Sequence, residues 1–178
     1  MKTQRLLMTV IALCAIPGLA AFAAGGAGGV GFGVQYFDRE MSSANLLLQY
    51  ATGYGYGVSR EGERIGGFGT GFYSDDGKAA GGVGGIIIGH EWKGGPFTAA
   101  LTFWGGIGAA SRNVGIAAPS VILFGEADAE LGIRLVRWMQ LTMYVGMQGW
   151  GRPFHQVFYD TAGLYTPVYG FRIGWGAF

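Results

Sequence analysis

The residues with the most chemistry to offer lie in one short run, Val121 to Leu135, V-I-L-F-G-E-A-D-A-E-L-G-I-R-L. Glu126, Asp128 and Glu130 fall on every second position, and Arg134 follows in the same phase. Side chains two apart on a β-strand share a face and sit about 7 Å from one another. Three carboxylates and a guanidinium on one face can pair with cations, line a polar path or build an ion-pair network. A single bound cation would need further ligands from a neighbouring strand at that spacing. The other phase reads Gly125, Ala127, Ala129, Leu131, Ile133 and Leu135 and is wholly apolar. Two folds fit such a strand. A soluble sheet would turn the apolar face to its core and the charges to water. A membrane barrel would turn the apolar face to lipid and the charges to its lumen.

Other candidate chemistry is sparse. The glycine runs (Gly25 to Gly33, Gly81 to Gly85) are followed by no helix pattern and no Lys-Ser/Thr, so they are not phosphate loops. No metal-ligand spacing is present, and no metal or cofactor is expected. The charge balance is +1, from 12 basic and 11 acidic residues, which leaves no basic surplus for nucleic acid. Charged residues make up 13% of the chain, about half the usual share of a soluble domain, while glycine contributes 36 of 178 residues.

The N-terminus reads as an export signal. Lys2 and Arg5 precede an apolar stretch from Leu6 to Ile16, Pro17-Gly18 breaks it, and Ala21-Phe22-Ala23 fits a small-x-small cleavage site. Residues 1–23 are therefore expected to be a signal peptide, and 24–178 a single β-barrel domain. Removing Lys2 and Arg5 takes the basic count from 12 to 10 against 11 acids, a net charge of −1. Cys14 is the only cysteine and lies inside the signal, so no disulfide is expected. Acylation of Cys14 as a lipoprotein is the lesser alternative, because Leu13 occupies the position where a small residue is preferred.

Beyond the signal the chain alternates with period two. Eight strands of roughly ten residues are expected, the length that a tilted membrane strand needs. Tight charged turns follow strands two, four and six (Ser59-Arg60-Glu61-Gly62, Lys93-Gly94-Gly95-Pro96, Val136-Arg137-Trp138-Met139). Longer loops follow strands five and seven, at Ala110–Pro119 and Gly151–Thr166. No window after the signal reads as a transmembrane helix, so a membrane location would require a closed barrel. The phases of strands three and four are ambiguous. Phe68 and Phe72 oppose Ile65 and Tyr73, and Ile86-Ile87-Ile88 hides its period. Tyr50, Tyr54, Tyr56, Trp92, Trp138, Tyr169 and Trp175 cluster near strand ends, where amphipathic rings favour a membrane interface. The expected fold is all-β, an eight-stranded antiparallel up-and-down transmembrane β-barrel.

Signal, alternating strands and a terminal Phe178 together resemble the small bacterial outer-membrane barrels of the outer-membrane protein A and X type. The resemblance covers the chain after its signal, and it is architectural. It implies a bacterial outer-membrane location and lipid as the surrounding partner. It also implies handling by periplasmic chaperones and the barrel-assembly machinery during biogenesis. In such proteins the last strand carries the assembly signal, here Phe178 with Trp175 and Phe171. Phe178 differs in phase from Phe171 and Trp175, a departure that a bulge at Gly176-Ala177 would explain. Some eight-stranded outer-membrane barrels are lipid-modifying enzymes that use a histidine with a serine or acid near the outer leaflet. His90 falls at the opposite end, and His155, with Asp160 nearby, lies in a loop without a following serine. The chain is not expected to be an enzyme.

Under the barrel reading Glu126, Asp128, Glu130, Arg134 and Arg172 point inward. Gln35, Gln49, Thr102, Gln140, Thr142, Tyr144 and Gln148 join them. Buried ions require partners, so Arg134 and Arg172, helped by Arg137 or Arg152 at the rims, are expected to neutralise the acids. Gly31, Gly33, Gly53, Gly55 and Gly57 are also expected to face inward, where they relieve tight curvature or leave a cavity. The expected function is structural or surface-interacting, with the lumen filled by the Glu/Asp–Arg network and an extracellular partner met by the longer loops. The alternative is a narrow, porin-like channel or a small-solute-binding barrel using the carboxylate face.

Overall fold

Alternating side chains commit the chain to strands, and short turns commit consecutive strands to antiparallel pairing. The computed structural model describes residues 26–37, 46–75, 79–112, 119–151 and 164–178. The expected signal peptide, Cys14, Arg152, His155 and Asp160 lie outside the described residues. So do most of the two longer loops. Eight strands are formed: β1 (Gly26–Phe37), β2 (Leu46–Val58), β3 (Glu63–Ser74), β4 (Ala79–Gly94), β5 (Phe97–Arg112), β6 (Ser120–Val136), β7 (Met139–Gly151) and β8 (Leu164–Gly176). Each pairs antiparallel with the next, and β8 returns to pair with β1. The result is a closed up-and-down barrel, with no helix among the described residues.

The register sets the barrel's shape. Partners run from Ala27 through Tyr56, Gly66, Ile87, Trp104, Glu126 and Gln148 to Thr166. Carrying the Gln35–Val168 pairing two residues on sets Thr166 opposite Phe37. One circuit from residue 27 to residue 37 is a shear of ten residues. Eight strands with that shear tilt by about 41°, inside the usual barrel range. At the turns, Gly62 (φ +95°) and Gly95 (φ +63°) adopt the left-handed conformation that favours glycine. Glu63 N donates to Ser59 Oγ (3.1 Å) and closes the β2–β3 turn.

Strands β5 to β8 face as their periodicity requires. Leu101, Phe103, Leu131, Ile133, Met143, Val145 and Phe171 are exposed outside, while Thr102, Trp104, Glu126, Gln140 and Arg172 are buried inside. The ambiguous strands resolve as well. Phe68 and Phe72 face in and Ile65 and Tyr73 out; Ile87 faces in while Ile86 and Ile88 face out.

Strand β2 is inverted relative to expectation. Leu48, Tyr50, Thr52, Tyr54 and Tyr56 are buried inside, and Gln49, Ala51, Gly53, Gly55 and Gly57 take the outer phase. Gln49 is therefore not a lumen residue. Its Oε1 accepts from Tyr73 Oη (2.6 Å) on the outer face. The reason lies across the barrel wall on β1, where Gly29, Gly31 and Gly33 face in without side chains. Tyr54 Oη lies 2.8 Å from where a Gly29 Cβ would stand, and a Cβ at Gly33 would strike the Tyr50 and Tyr144 hydroxyls. The tyrosines fill the volume that the glycines leave. Neither a cavity nor curvature alone accounts for those residues. Tyr50, Tyr54 and Tyr56 accordingly form no interfacial belt, whereas Trp92 and Trp138 are exposed at the turn end.

Other glycines test the same geometry. A Cβ at Gly85 would strike the carbonyl oxygen of Gly105, whereas one at Gly71 meets nothing within 4 Å. Gly85→Ala is expected to lower unfolding free energy by about 1–3 kcal/mol through overpacking, and Gly71→Ala by less than about 0.5 kcal/mol. Urea unfolding in detergent micelles, followed by tryptophan fluorescence, reads both.

Candidate functional site

The alternation of β6 carries Glu126, Asp128 and Glu130 down one inner wall, and Arg172 on β8 reaches across to all three. Arg172 Nη2 donates to Glu126 Oε1 (3.0 Å) and Asp128 Oδ2 (2.6 Å), and its Nη1 donates to Glu130 Oε1 (2.6 Å). Its side chain crosses the lumen because β1 offers no obstacle there. A Cβ at Gly31 would stand 2.9 Å from Arg172 Cγ. The guanidinium also lies over the rings of Tyr144 (3.7 Å) and Trp104 (4.3 Å). Such cation–π contacts contribute up to about 2 kcal/mol when desolvated.

A second guanidinium completes the network. Arg64 on β3 donates through Nη1 to Glu130 Oε2 (2.6 Å) and through Nε to Glu91 Oε2 (2.9 Å). Its Nη2 also pairs with Glu91, and its guanidinium lies 4.5 Å from the Tyr56 ring centroid. At the turn-end rim, Lys93 Nζ stands 3.3 Å from Glu91 Oε1. Glu130 thus bridges both arginines, and four strands (β3, β4, β6 and β8) are tied together across the barrel.

The loop-side half of the lumen is filled differently. Phe68 packs on Trp104 and Phe124, and Trp150 packs on Phe72 and Phe124, all with centroids 4.9–5.6 Å apart. A polar cluster closes that end. Trp150 Nε1 donates to Gln35 Oε1 (3.0 Å), Gln35 Nε2 donates to Thr166 Oγ1, and Gln148 Nε2 donates to Glu126 Oε2 (2.5 Å). Tyr50 and Tyr144 join hydroxyl to hydroxyl at 2.8 Å.

The expected lumen residues therefore divide. Glu126, Asp128, Glu130 and Arg172 meet in one network, and Tyr144 packs on it. Gln140 is buried near the turn end, donating to Thr98 Oγ1 (2.8 Å) and Thr142 Oγ1 (3.1 Å). Arg134 is half-buried and forms no ion pair with the described residues, and Arg137 is exposed. The neutralising role expected of Arg134 belongs to Arg64. Arg64 and Glu91 escape a reading of the sequence because each adjoins a charged turn. Their phase is the available signal: Arg64 matches Phe68 and Phe72, and Glu91 matches Val83 and Ile87. Phe171 and Trp175 take the outer phase of β8, while the Phe178 ring turns inward beneath Gly174, 3.2 Å from that residue's Cβ position. Phe178 thus helps to close the turn end rather than extending the outer face.

These features define a closed β-barrel with an ionic and aromatic interior and an apolar exterior. No family model, curated protein or solved structure matches the chain. Among the described residues no group of His, Cys, Asp and Glu forms a metal-binding arrangement. The chemistry on offer is ion pairing across the barrel.

Removing one member of a buried pair strands the other charge. Arg172→Met is expected to cost about 3–5 kcal/mol of unfolding free energy by that mechanism. Arg134→Gln is expected to cost about 0.5 kcal/mol or less. Chemical denaturation of the two variants beside the wild type distinguishes the two arginines.

Proposed function

We propose that the protein is an outer-membrane β-barrel of a diderm bacterium with a structural or surface-interaction role and a filled, non-conducting lumen. One observation carries the reading: burial is inverted relative to a water-soluble barrel. Leu131, Ile65 and Met143 are 71%, 70% and 68% exposed, whereas Arg64, Glu91, Glu126, Asp128, Glu130 and Arg172 are each 5% exposed or less. Between the strand ends, the outer phase of the described strands holds no charged side chain. A surface of that kind is unstable in water and suited to hydrocarbon. At a 41° tilt each residue rises about 2.5 Å, so roughly ten residues cross an apolar band of about 25 Å. The strands have 12 to 17 residues. Trp92 and Trp138 at the turn end suit the headgroup level.

The filled interior supports the structural reading over a channel. Arg172 against the Tyr144 and Trp104 rings, with Phe68, Phe124 and Trp150 on the loop side, leaves side chains where a porin-like path would need water. The extracellular role rests with the loops between β5 and β6 and between β7 and β8. The export signal and the assembly machinery belong to the same reading.

Cell fractionation with heat-modifiable gel mobility tests it. The folded protein is expected in the outer-membrane fraction and to migrate differently before and after boiling. Reconstituted in planar bilayers, it is expected to produce no stable conductance steps. Recovery from soluble periplasm would overturn the membrane reading. Regular ion steps that change selectivity when Glu126, Asp128 and Glu130 are neutralised together would favour the channel.

A further inference from the structure

Among the described residues, the charges buried in the lumen do not balance. Arg64 and Arg172 are buried with Glu91, Glu126, Asp128 and Glu130. Lys93 at the rim takes Glu91, which leaves two guanidinium groups facing three carboxylates. An uncompensated buried ion is far costlier than an exposed one. Arg134 is not the missing cation. It lies four residues from Glu130 along β6, about 13 Å away, and pairs with no described acid.

The donors show where the surplus falls. Glu130 accepts from both arginines, at 2.6 Å each. Glu126 accepts from Arg172 (3.0 Å) and from the Gln148 amide (2.5 Å). Asp128 accepts only from Arg172, through Oδ2 (2.6 Å). Its Oδ1 is buried without a hydrogen-bond partner, against the backbone of Gly146. Asp128 and Glu126 share one guanidinium nitrogen, Nη2 of Arg172. A neutral carboxylic acid at Asp128, the acid with the fewest donors, removes the surplus charge without a further cation.

We propose that Asp128 is protonated at neutral pH, so that the lumen network is electrically neutral. The titratable groups facing Asp128 are Glu126 and Glu130 on its own strand, Arg172 from β8, Tyr144 from β7, Tyr50 from β2 and Arg64 from β3. Strand β5 presents Thr102 and Trp104, which carry no charge, and Glu91 of β4 lies beyond Arg64. None of these groups supplies a further positive charge. The balance is a property of the interior, whichever solvent meets the outer face.

Infrared spectroscopy of the folded full chain in detergent micelles at pH 7 tests this. A protonated carboxylic acid has a carbonyl-stretch band well separated from those of carboxylates. The wild type is expected to show such a band, equivalent to about one acid per chain. Asp128→Asn and Glu126→Gln are each expected to abolish it, because either removes the surplus charge. If Asp128→Asn fails to fold, the wild type and Glu126→Gln read the same quantity. Absence of the band from the wild type, or a band that survives either substitution, overturns the proposal. A missing band together with an unfolding midpoint that rises with added Na⁺ or Ca²⁺ also overturns it, with a bound cation in the proton's place.

Discussion

The contact between Arg172 and the three carboxylates of β6 is the constraint around which the barrel is arranged. Bringing several charges into a narrow interior is expensive unless each finds a partner with good geometry. Arg172 meets that demand with a planar group that serves three acids at once, and a lysine has no equivalent fork. Its position fixes much else. Gly31 must lack a side chain for the arm to cross, Tyr144 and Trp104 must set their rings against the guanidinium, and Glu130 must turn toward both Arg172 and Arg64. The network joins β3, β4, β6 and β8 through side chains, in addition to the backbone ladder that closes the sheet.

Filling the lumen is the second demand, because an eight-stranded barrel has room for side chains and little else. The chain meets it unevenly. The turn-side half holds the ionic network, and the loop-side half holds phenylalanine and tryptophan rings capped by glutamines and a threonine. Inward glycines on β1 and inward tyrosines on β2 are two parts of one solution, since each large ring occupies space that its neighbour vacates. The exterior then carries the apolar side chains that a soluble protein would hide.

Strand alternation made the architecture readable from the sequence. Glu126-Ala-Asp-Ala-Glu130 in β6 and Gln140-Leu-Thr-Met-Tyr144 in β7 each separate a polar phase from an apolar one, so face and fold follow together. Strand β2 was not readable in this way. Tyrosine is as suited to a buried hydrogen bond as to a membrane interface, and its alternation with glycine gives no polar phase to compare. Arg64 and Glu91 were hidden by neighbouring turn residues. Whether a charge next to a turn points in or out depends on strand phase, which Phe68 and Ile87 define only once the register is known. Phe178 turned inward because β8 ends at Gly176, which frees the last two residues from the strand's alternation.

The central claim is that β6 presents charges to a packed interior and small or apolar residues to lipid. Spin labels on single cysteines at Ala127, Ala129 and Leu131 test it most directly, in protein reconstituted into vesicles with Cys14, the chain's single cysteine, replaced by serine. The account predicts that all three labels collide freely with oxygen dissolved in the bilayer and rarely with a water-soluble nickel complex. Frequent collisions with the nickel complex at these positions would place the apolar face of β6 in water and contradict the account.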